Sequence, residues 1–286
     1  MQRPLDHLVL ATHDLEAAGA FYEKLGFKVG VRNRHPWGTE NRIVQFPGAF
    51  LELITVGEGA DIPPHAAGLF SFGAFVRDYL EAREGFAMLV LQSKDAKADK
   101  MAFDKAGIGG FEPFFFERKG LRPDGTSVEV SFTLAFAKDR FAKQCGFFVC
   151  QQHRPENFWN PLAQRHPNGA LSLAGVCMVA DEPSDHAEFM RAFTGMDVFS
   201  ATSAGLRFDM PRGKVDVLSD SAFTFEYGQD FGDKRPQFAA FSVEVSDLNS
   251  LQTRLDDQNI AYYQHQGSIL IASSEAFGVI IRFIQR

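Results

Sequence analysis

Cysteine is scarce in this chain: Cys145, Cys150 and Cys177 are the whole complement, an odd count with no CxxC pair. A disulfide framework is thereby excluded, and the usage suits a reducing compartment, so a cytoplasmic location is expected. No run of about 18 apolar residues occurs, and the opening Met1-Gln2-Arg3-Pro4-Leu5-Asp6-His7 has no apolar signal region. Membrane insertion and secretion are both disfavoured. Positive charge is in deficit, 29 Lys and Arg against 36 Asp and Glu, so no basic field draws polyanions and nucleic acid is not an expected partner. No Gly-x-Ser-x-Gly elbow activates a serine, and no glycine pattern cradles a phosphate. Tryptophan and tyrosine are few, two and five, while phenylalanine occurs 30 times. That surplus implies thick aromatic cores or an apolar cavity.

What is present is a repeat. The 286 residues are about twice a typical ~150-residue domain, so two domains are expected. Leu5-Asp6-His7-Leu8-Val9-Leu10 reads as a buried strand, and Thr12-His13-Asp14 offers helix N-caps. A helix follows with Leu15, Ala18, Phe21, Tyr22 and Leu25 at three- and four-residue steps, stopped by Gly26. Extended segments are predicted over 27–32, 41–46 and 50–56, with turns at His35-Pro36-Trp37-Gly38 and Pro47-Gly48. The order is βαβββ. Asp95 and Gly107 repeat Asp14 and Gly26 at an offset of 81, and Asp247 and Asn259 repeat them at 233. A third copy has a strand over 173–179, a helix over 184–193 and a stop at Gly195. Four βαβββ units, paired into two α+β domains over 1–160 and 161–286, are the expected architecture.

Paired βαβββ units opening on Leu5-Asp6-His7-Leu8-Val9 resemble the vicinal oxygen chelate superfamily, which includes glyoxalase I, extradiol dioxygenases and bleomycin-resistance proteins. His35-Pro36-Trp37-Gly38-Thr39-Glu40-Asn41-Arg42, Phe50-Leu51-Glu52-Leu53-Ile54 and Cys150-Gln151-Gln152-His153-Arg154-Pro155-Glu156 are similar to the bacterial glyoxalase-like domain proteins. The resemblance implies cupped mixed or antiparallel sheets, helices outside, and a cavity within each pair of units. It also implies metal ligands on the first and fourth strands, here His7 and Glu52. Alternation places Leu5, His7 and Val9 on one face of strand one, and Phe50, Glu52 and Ile54 on one face of strand four. The ion would be zinc, manganese, nickel or ferrous iron. In the second unit Met88 stands at the offset of 81 from His7, and counting four from Gly146 puts Cys150 at the Glu52 position, with Gln152 or His153 as substitutes. In the second domain the positions hold about Gly175, Ala240 and Arg282, so no metal is expected there.

Each candidate has two readings. His7 is a metal ligand or a satisfied core histidine, and Glu52 a ligand or the partner of a buried Arg42 or another arginine. Trp37 and Arg42 belong to a plain connection, or Trp37 covers a ligand whose anionic group Arg42 grips. Arg118 and Arg122 belong to a hairpin with its tip at Pro123-Asp124-Gly125, or they reach the cavity. Gln152 and His153 pack the domain joint, or they serve at the cavity mouth as hydrogen-bond and proton-transfer groups. Two functions from different classes follow. One is a metal-assisted lyase, isomerase or dioxygenase acting on a small oxygenated or carbonyl compound, with Arg42, Glu52 and His153 as catalytic groups. The other is a metal-free protein that sequesters a small molecule, as the bleomycin-resistance branch does. A monomer and a homodimer are equally compatible with two paired-unit domains in one chain.

Overall fold

The computed structural model describes residues 1–121, 126–232 and 236–286. Its core is two eight-stranded mixed sheets with the same topology. In the first, β1 (Leu5–Ala11), α1 (Leu15–Lys24), β2 (Asn33–Arg34), β3 (Thr39–Phe46) and β4 (Ala49–Val56) form one unit. Then β5 (Gly85–Gln92), α3 (Ala96–Lys105), β6 (Phe114–Leu121), β7 (Ser127–Ala137) and β8 (Gly146–Gln152) form the next. The helix α2 (Phe72–Ala82) lies between them in the chain. The sheet order is β2-β3-β4-β1-β5-β8-β7-β6. The second sheet repeats this with β9 (Ala170–Val179), α5 (Ala187–Thr194), β10 (Ser200–Thr202), β11 (Gly205–Asp209) and β12 (Lys214–Leu218). After α6 (Asp220–Tyr227) it continues with β13 (Gln237–Val245), α7 (Leu248–Asp257), β14 (Tyr263–His265), β15 (Ser268–Ile271) and β16 (Ile280–Gln285). A short helix α4 (Pro155–Phe158) follows β8.

The repeated sequence marks act as caps. Asp14, Asp95 and Asp247 each accept backbone N–H bonds of the helix they precede, satisfying donors that have no partner inside a helix. Gly26 and Gly195 close their helices at positive φ, +93° and +70°, which a side chain would strain. Two expectations need correction. Residues 27–32 do not form a strand: the Lys28 N–H donates to His166 Nδ1 at 3.0 Å instead of to a ladder, and β2 is only two residues long. The helix of the third unit starts later than 184, because Pro183–His186 forms a 3₁₀ turn first.

The backs of the two sheets share one continuous core. Phe86 meets Phe241, Phe147 packs on Phe189 and Phe238, and Phe27 stacks on Phe283. The phenylalanine surplus therefore fills the joint as well as the cavity described below. The first sheet curls until its edges meet: Trp37, in the β2–β3 turn, touches Phe114 and Phe116 on β6 at 5.1 and 4.8 Å between centroids. Among the described residues no helix is long and apolar enough to cross a membrane.

Candidate functional site

The curl of the first sheet encloses a cavity of about 50 Å³ lined by phenylalanines 50, 72, 116, 132, 148 and 158. Its polar lining is His7, His35, Trp37, Asn41, Glu52, Arg118 and Cys150. A benzene-sized void is roughly 150 Å³, so only a small group fits inside. Ile43, Arg118 and Phe158 also line an adjoining open groove of about 1370 Å³.

β1 and β4 are parallel neighbours, with His7 opposite Phe50 and Val9 opposite Glu52. His7 Nε2 lies 3.8 Å from Glu52 Oε2. The imidazole stacks on Phe50 at 4.1 Å, and its Nδ1 is 2.5 Å from Asp6 Oδ1. Adjacent residues of a regular strand cannot share a face. Here the β1–β5 register slips between Leu5 and His7, and a bulge of this kind re-aims side chains. It also corrects the expected alternation: His7, Val9 and Ala11 face the cavity side, whereas Leu5 joins Leu8 and Leu10 in the shared core. On β4 the expected face of Phe50, Glu52 and Ile54 is observed.

Glu52 is buried, and burial pushes its carboxyl above the usual range, against the opposing pull of His7, Asn41 and Arg118. Asn41 Nδ2 donates to Glu52 Oε1. Asn33 Nδ2 donates to Asn41 Oδ1 at 3.3 Å, and Arg118 Nη1 to Asn33 Oδ1 at 3.3 Å. His35 pairs with Thr39 Oγ1 at 2.8 Å and stacks on Trp37. Burial, aided by Arg118, lowers the His35 pKa to about 3, so it is neutral. Sequence reasoning assigned nothing to Asn33, His35 or Asn41. The alternation of Thr39, Asn41 and Ile43 along β3 was the available signal.

Arg118 does reach the cavity. It is half-buried, desolvation lowers its pKa against the pull of Glu52, and no carboxylate lies within ion-pair distance of it among the described residues. Arg122 lies outside the described residues. Trp37 is buried in the cavity wall, and its Nε1 has no hydrogen-bond partner among the described residues. Gln152 Nε2 donates to Asp6 Oδ2 at 3.2 Å, so it buttresses the Asp6–His7 pair from beside the cavity.

Arg42 and His153 are corrections. Arg42 follows Asn41 and so faces outward, where it bonds Gly30 O at 2.9 Å and pairs with Glu16 and Glu23 on α1 at 3.3 and 2.7 Å. His153, just past β8, is exposed and meets Thr133 Oγ1 at 2.7 Å on the outer face of β7.

The register also relocates the fourth-strand positions. β5 pairs with β8 so that Met88, Val90 and Gln92 oppose Gly146, Phe148 and Cys150. Since Met88 answers to His7, Phe148 answers to Glu52, and Cys150 lies one pleat further along the same face. Counting from the glycine fails because residues 138–145 replace the tight Pro47-Gly48 turn. Burial, with Asp6 and Glu52 nearby, pushes the Cys150 thiol well up, which opposes a thiolate ligand. Among the described residues no group of three or more His, Cys, Asp or Glu is placed to hold a metal ion. His7 and Glu52 supply two donors where catalytic divalent sites take about three from the protein. Among the described residues the side chains do not complete such a site.

In the second half, Asp216 opposes Cys177 as Glu52 opposes Val9, a correspondence absent from the sequence reading. It is already neutralised, by Arg207 at 2.7 Å and Lys214 at 3.2 Å. Arg282 opposes Ser242 on β13 and pairs with Glu226 at 2.5 Å. Phe223 and Tyr227 of α6 are buried against the same face.

Known structures of this shape are distant in sequence. A hypothetical protein from Staphylococcus aureus superposes with a TM-score of 0.71 at 14% identity, covering 99% of this chain and 100% of that one. A triple mutant of 4-hydroxymandelate synthase from Streptomyces coelicolor gives 0.64 at 13% identity over 100% and 93%. Catechol 2,3-dioxygenase gives 0.55 at 10% over 100% and 88%. These likenesses show the fold, two sheets of paired βαβββ units. No curated protein matches the chain. Residues 5–194 match the glyoxalase-like domain, about two thirds of the sequence, and with the paired βαβββ sheets this makes the chain a member of the glyoxalase-like domain family within the vicinal oxygen chelate superfamily.

Proposed function

We propose that the first half binds an organic acid or α-oxygenated carbonyl compound whose small oxygen-bearing head enters the cavity while its apolar remainder lies in the adjoining groove. The observation that carries this reading is Arg118, a half-buried guanidinium at the junction of cavity and groove with only Asn33 as its hydrogen-bond partner among the described residues. Such a cation is stabilised by an anionic ligand atom. Two more groups line the cavity at the head group, Trp37 Nε1, which has no hydrogen-bond partner among the described residues, and the Glu52 carboxyl, whose pKa burial raises. Glu52 and the Nε2 of His7 are then placed to exchange a proton with a head group between them, with Asp6 holding the imidazole in one orientation. The groove supplies apolar contact through Val128, Val130, Phe158 and Trp159.

Calorimetric titration with acetate, phenylacetate, 4-phenylbutanoate and the neutral phenylacetamide tests this. Affinity is expected to rise along the three acids and to fall for the amide. A charge-assisted hydrogen bond is worth about 1.5–3 kcal/mol, so Arg118→Met is expected to weaken phenylacetate binding by about 10- to 100-fold. Equal affinity for acid and amide, or an Arg118→Met variant that binds like the wild type, refutes the reading.

A second reading, metal-assisted lyase, isomerase or dioxygenase activity, is favoured by one observation, the 3.8 Å approach of His7 Nε2 to Glu52 Oε2 with Asp6 behind the ring. It requires remaining donors from outside the protein. Elemental analysis of freshly purified protein, and of protein incubated with zinc, manganese, nickel or ferrous iron, separates the two. About one ion per chain, lost in His7→Ala and Glu52→Ala, supports the second reading, and no ion removes it.

A further inference from the structure

The corresponding turns of units one and three differ in length. In unit one, β3 and β4 are joined by Pro47-Gly48; in unit three, β11 and β12 are joined by Met210-Pro211-Arg212-Gly213. The two turns lie together in the folded chain, and the arginine of the longer one sits over the glycine of the shorter. A Cβ on Gly48 would come within 2.7 Å of Arg212 Nη1, and one on Gly213 within 2.9 Å of Leu5 Cδ2.

We propose that Arg212, from the second half of the chain, is a positioning residue for His7: it clamps both backbone groups of Leu5 and so fixes the bulge that turns Asp6 and His7 toward the cavity. The Leu5 N–H donates to Arg212 O at 2.9 Å, and Arg212 Nε donates to Leu5 O at 2.9 Å. β4 begins its pairing with β1 only at His7, so Arg212 takes the place of a strand at Leu5. Arg212 Nη2 also donates to Gln92 Oε1 at 3.0 Å, and the Gln92 N–H donates to Pro4 O at 2.8 Å. The β1 segment before the bulge is therefore held from both sides. Burial lowers the Arg212 pKa and the Asp6 charge opposes that. Removing the Arg212 side chain leaves Leu5, on that side, only the bond to Arg212 O and frees the strand to slide out the bulge, and a one-residue slip sends side chains to the opposite face.

The inference deepens the reading of the cavity and rests on it only where affinity is measured; the His7 ring is read without ligand. Histidine-labelled protein, with the His7 signal assigned by its loss in His7→Gln, is followed by long-range proton–nitrogen correlation at one neutral pH. The wild type is expected to show a single tautomer with the proton on Nδ1, as the Asp6 contact requires. Arg212→Ala is expected to lose that preference and to weaken phenylacetate binding by about tenfold. Arg3→Ala is the control, since Arg3 joins the halves through Ala192 O and Phe193 O at 3.1 and 2.7 Å without touching Leu5; it is expected to lower the melting temperature and leave the His7 signal in place. Should Arg212→Ala not fold, Arg212→Lys decides, because an ammonium lacks the planar fork by which the guanidinium holds Leu5 O and Gln92 Oε1 through two fixed nitrogens. An intermediate His7 signal supports the clamp. A wild-type signal in any folded Arg212 variant, or an equal change in Arg3→Ala, overturns it. An altered His7 signal in Arg212→Ala, together with a wild type that binds no carboxylate, keeps the clamp and discards the ligand reading.

Discussion

Glu52→Gln is expected to stabilise the protein at neutral pH, and the effect has a definite pH signature. Below the ordinary glutamate range, near pH 3, both folded and unfolded chains hold the Glu52 proton, and the residue behaves like its amide. As pH rises, the unfolded chain releases that proton while burial keeps it on the folded one. The folded state then binds more protons than the unfolded state, so stability falls with pH, by up to about 1.4 kcal/mol per unit, until the raised folded value is passed. Glutamine has no such slope and keeps an oxygen for Asn41 Nδ2. Between pH 5 and pH 7 the gap between variant and wild type therefore opens by at most about 2.7 kcal/mol, on the order of 5 °C in melting temperature for a chain of this size. Thermal melts followed by circular dichroism, with chelator present, measure the difference at each pH, in which other titrating groups largely cancel. A gap that stays constant, or a wild type that gains on the variant as pH rises, refutes the argument. The second outcome means that Arg118 and His7 outweigh burial and hold the carboxylate ionised.

The three thiols are expected to resist iodoacetamide in the native state at mildly alkaline pH and to react fully in guanidinium, read by mass; burial raises all three, Cys145 to about 12. Arg42→Ala is expected to leave phenylacetate affinity within about twofold and to cost on the order of 1 kcal/mol or less by denaturant unfolding, because its partners Glu16 and Glu23 are exposed. Phe148→Ala removes a ring that is 2% exposed and packs on Phe72, Phe136 and the His7 edge; a loss of about 3–5 kcal/mol is expected from chemical denaturation. Asp216→Asn breaks the ion pairs with Arg207 and Lys214 and is expected to leave carboxylate binding unchanged in the same titration.

The repeat was legible because its marks are local. An aspartate before the helix in units one, two and four, and a glycine or asparagine after it in all four, are demands of helix ends, so they recur whatever the helix packs against. The pairing of His7 with Glu52 came from the resemblance, which implies ligands on neighbouring first and fourth strands; alternation alone placed Phe50, Glu52 and Ile54 on one face of β4 but could not say which strand lies beside it. What was hidden depends on departures from that regularity. The bulge at Asp6 breaks the parity of β1, and no residue type announces it. Arg42 differs from Asn41 by one position, which on a strand is the difference between the helix side and the cavity side. Cys150 was misplaced by a count across a turn of unequal length, and Asp216 was missed because it lies three residues past Gly213, whereas Glu52 lies four past Gly48. The chain of Arg118, Asn33 and Asn41 forms only when the sheet curls far enough for its two edges to touch, a property of twist summed over eight strands.

The filled state of the second half bears on stoichiometry. Two identical chains meeting about a symmetry axis would each present the same surface, and a change that emptied or filled one cavity would do so in both. Here the two halves are different stretches of a single polypeptide. Ion pairs around Asp216 can close one bay while its counterpart stays open, and a turn on the closed side can carry an arginine for which the open side has no equivalent. On the proposed reading the chain is a permanent heterodimer in miniature, with one binding bay per 31.8 kDa among the described residues, and dilution cannot separate that bay from the half that braces it.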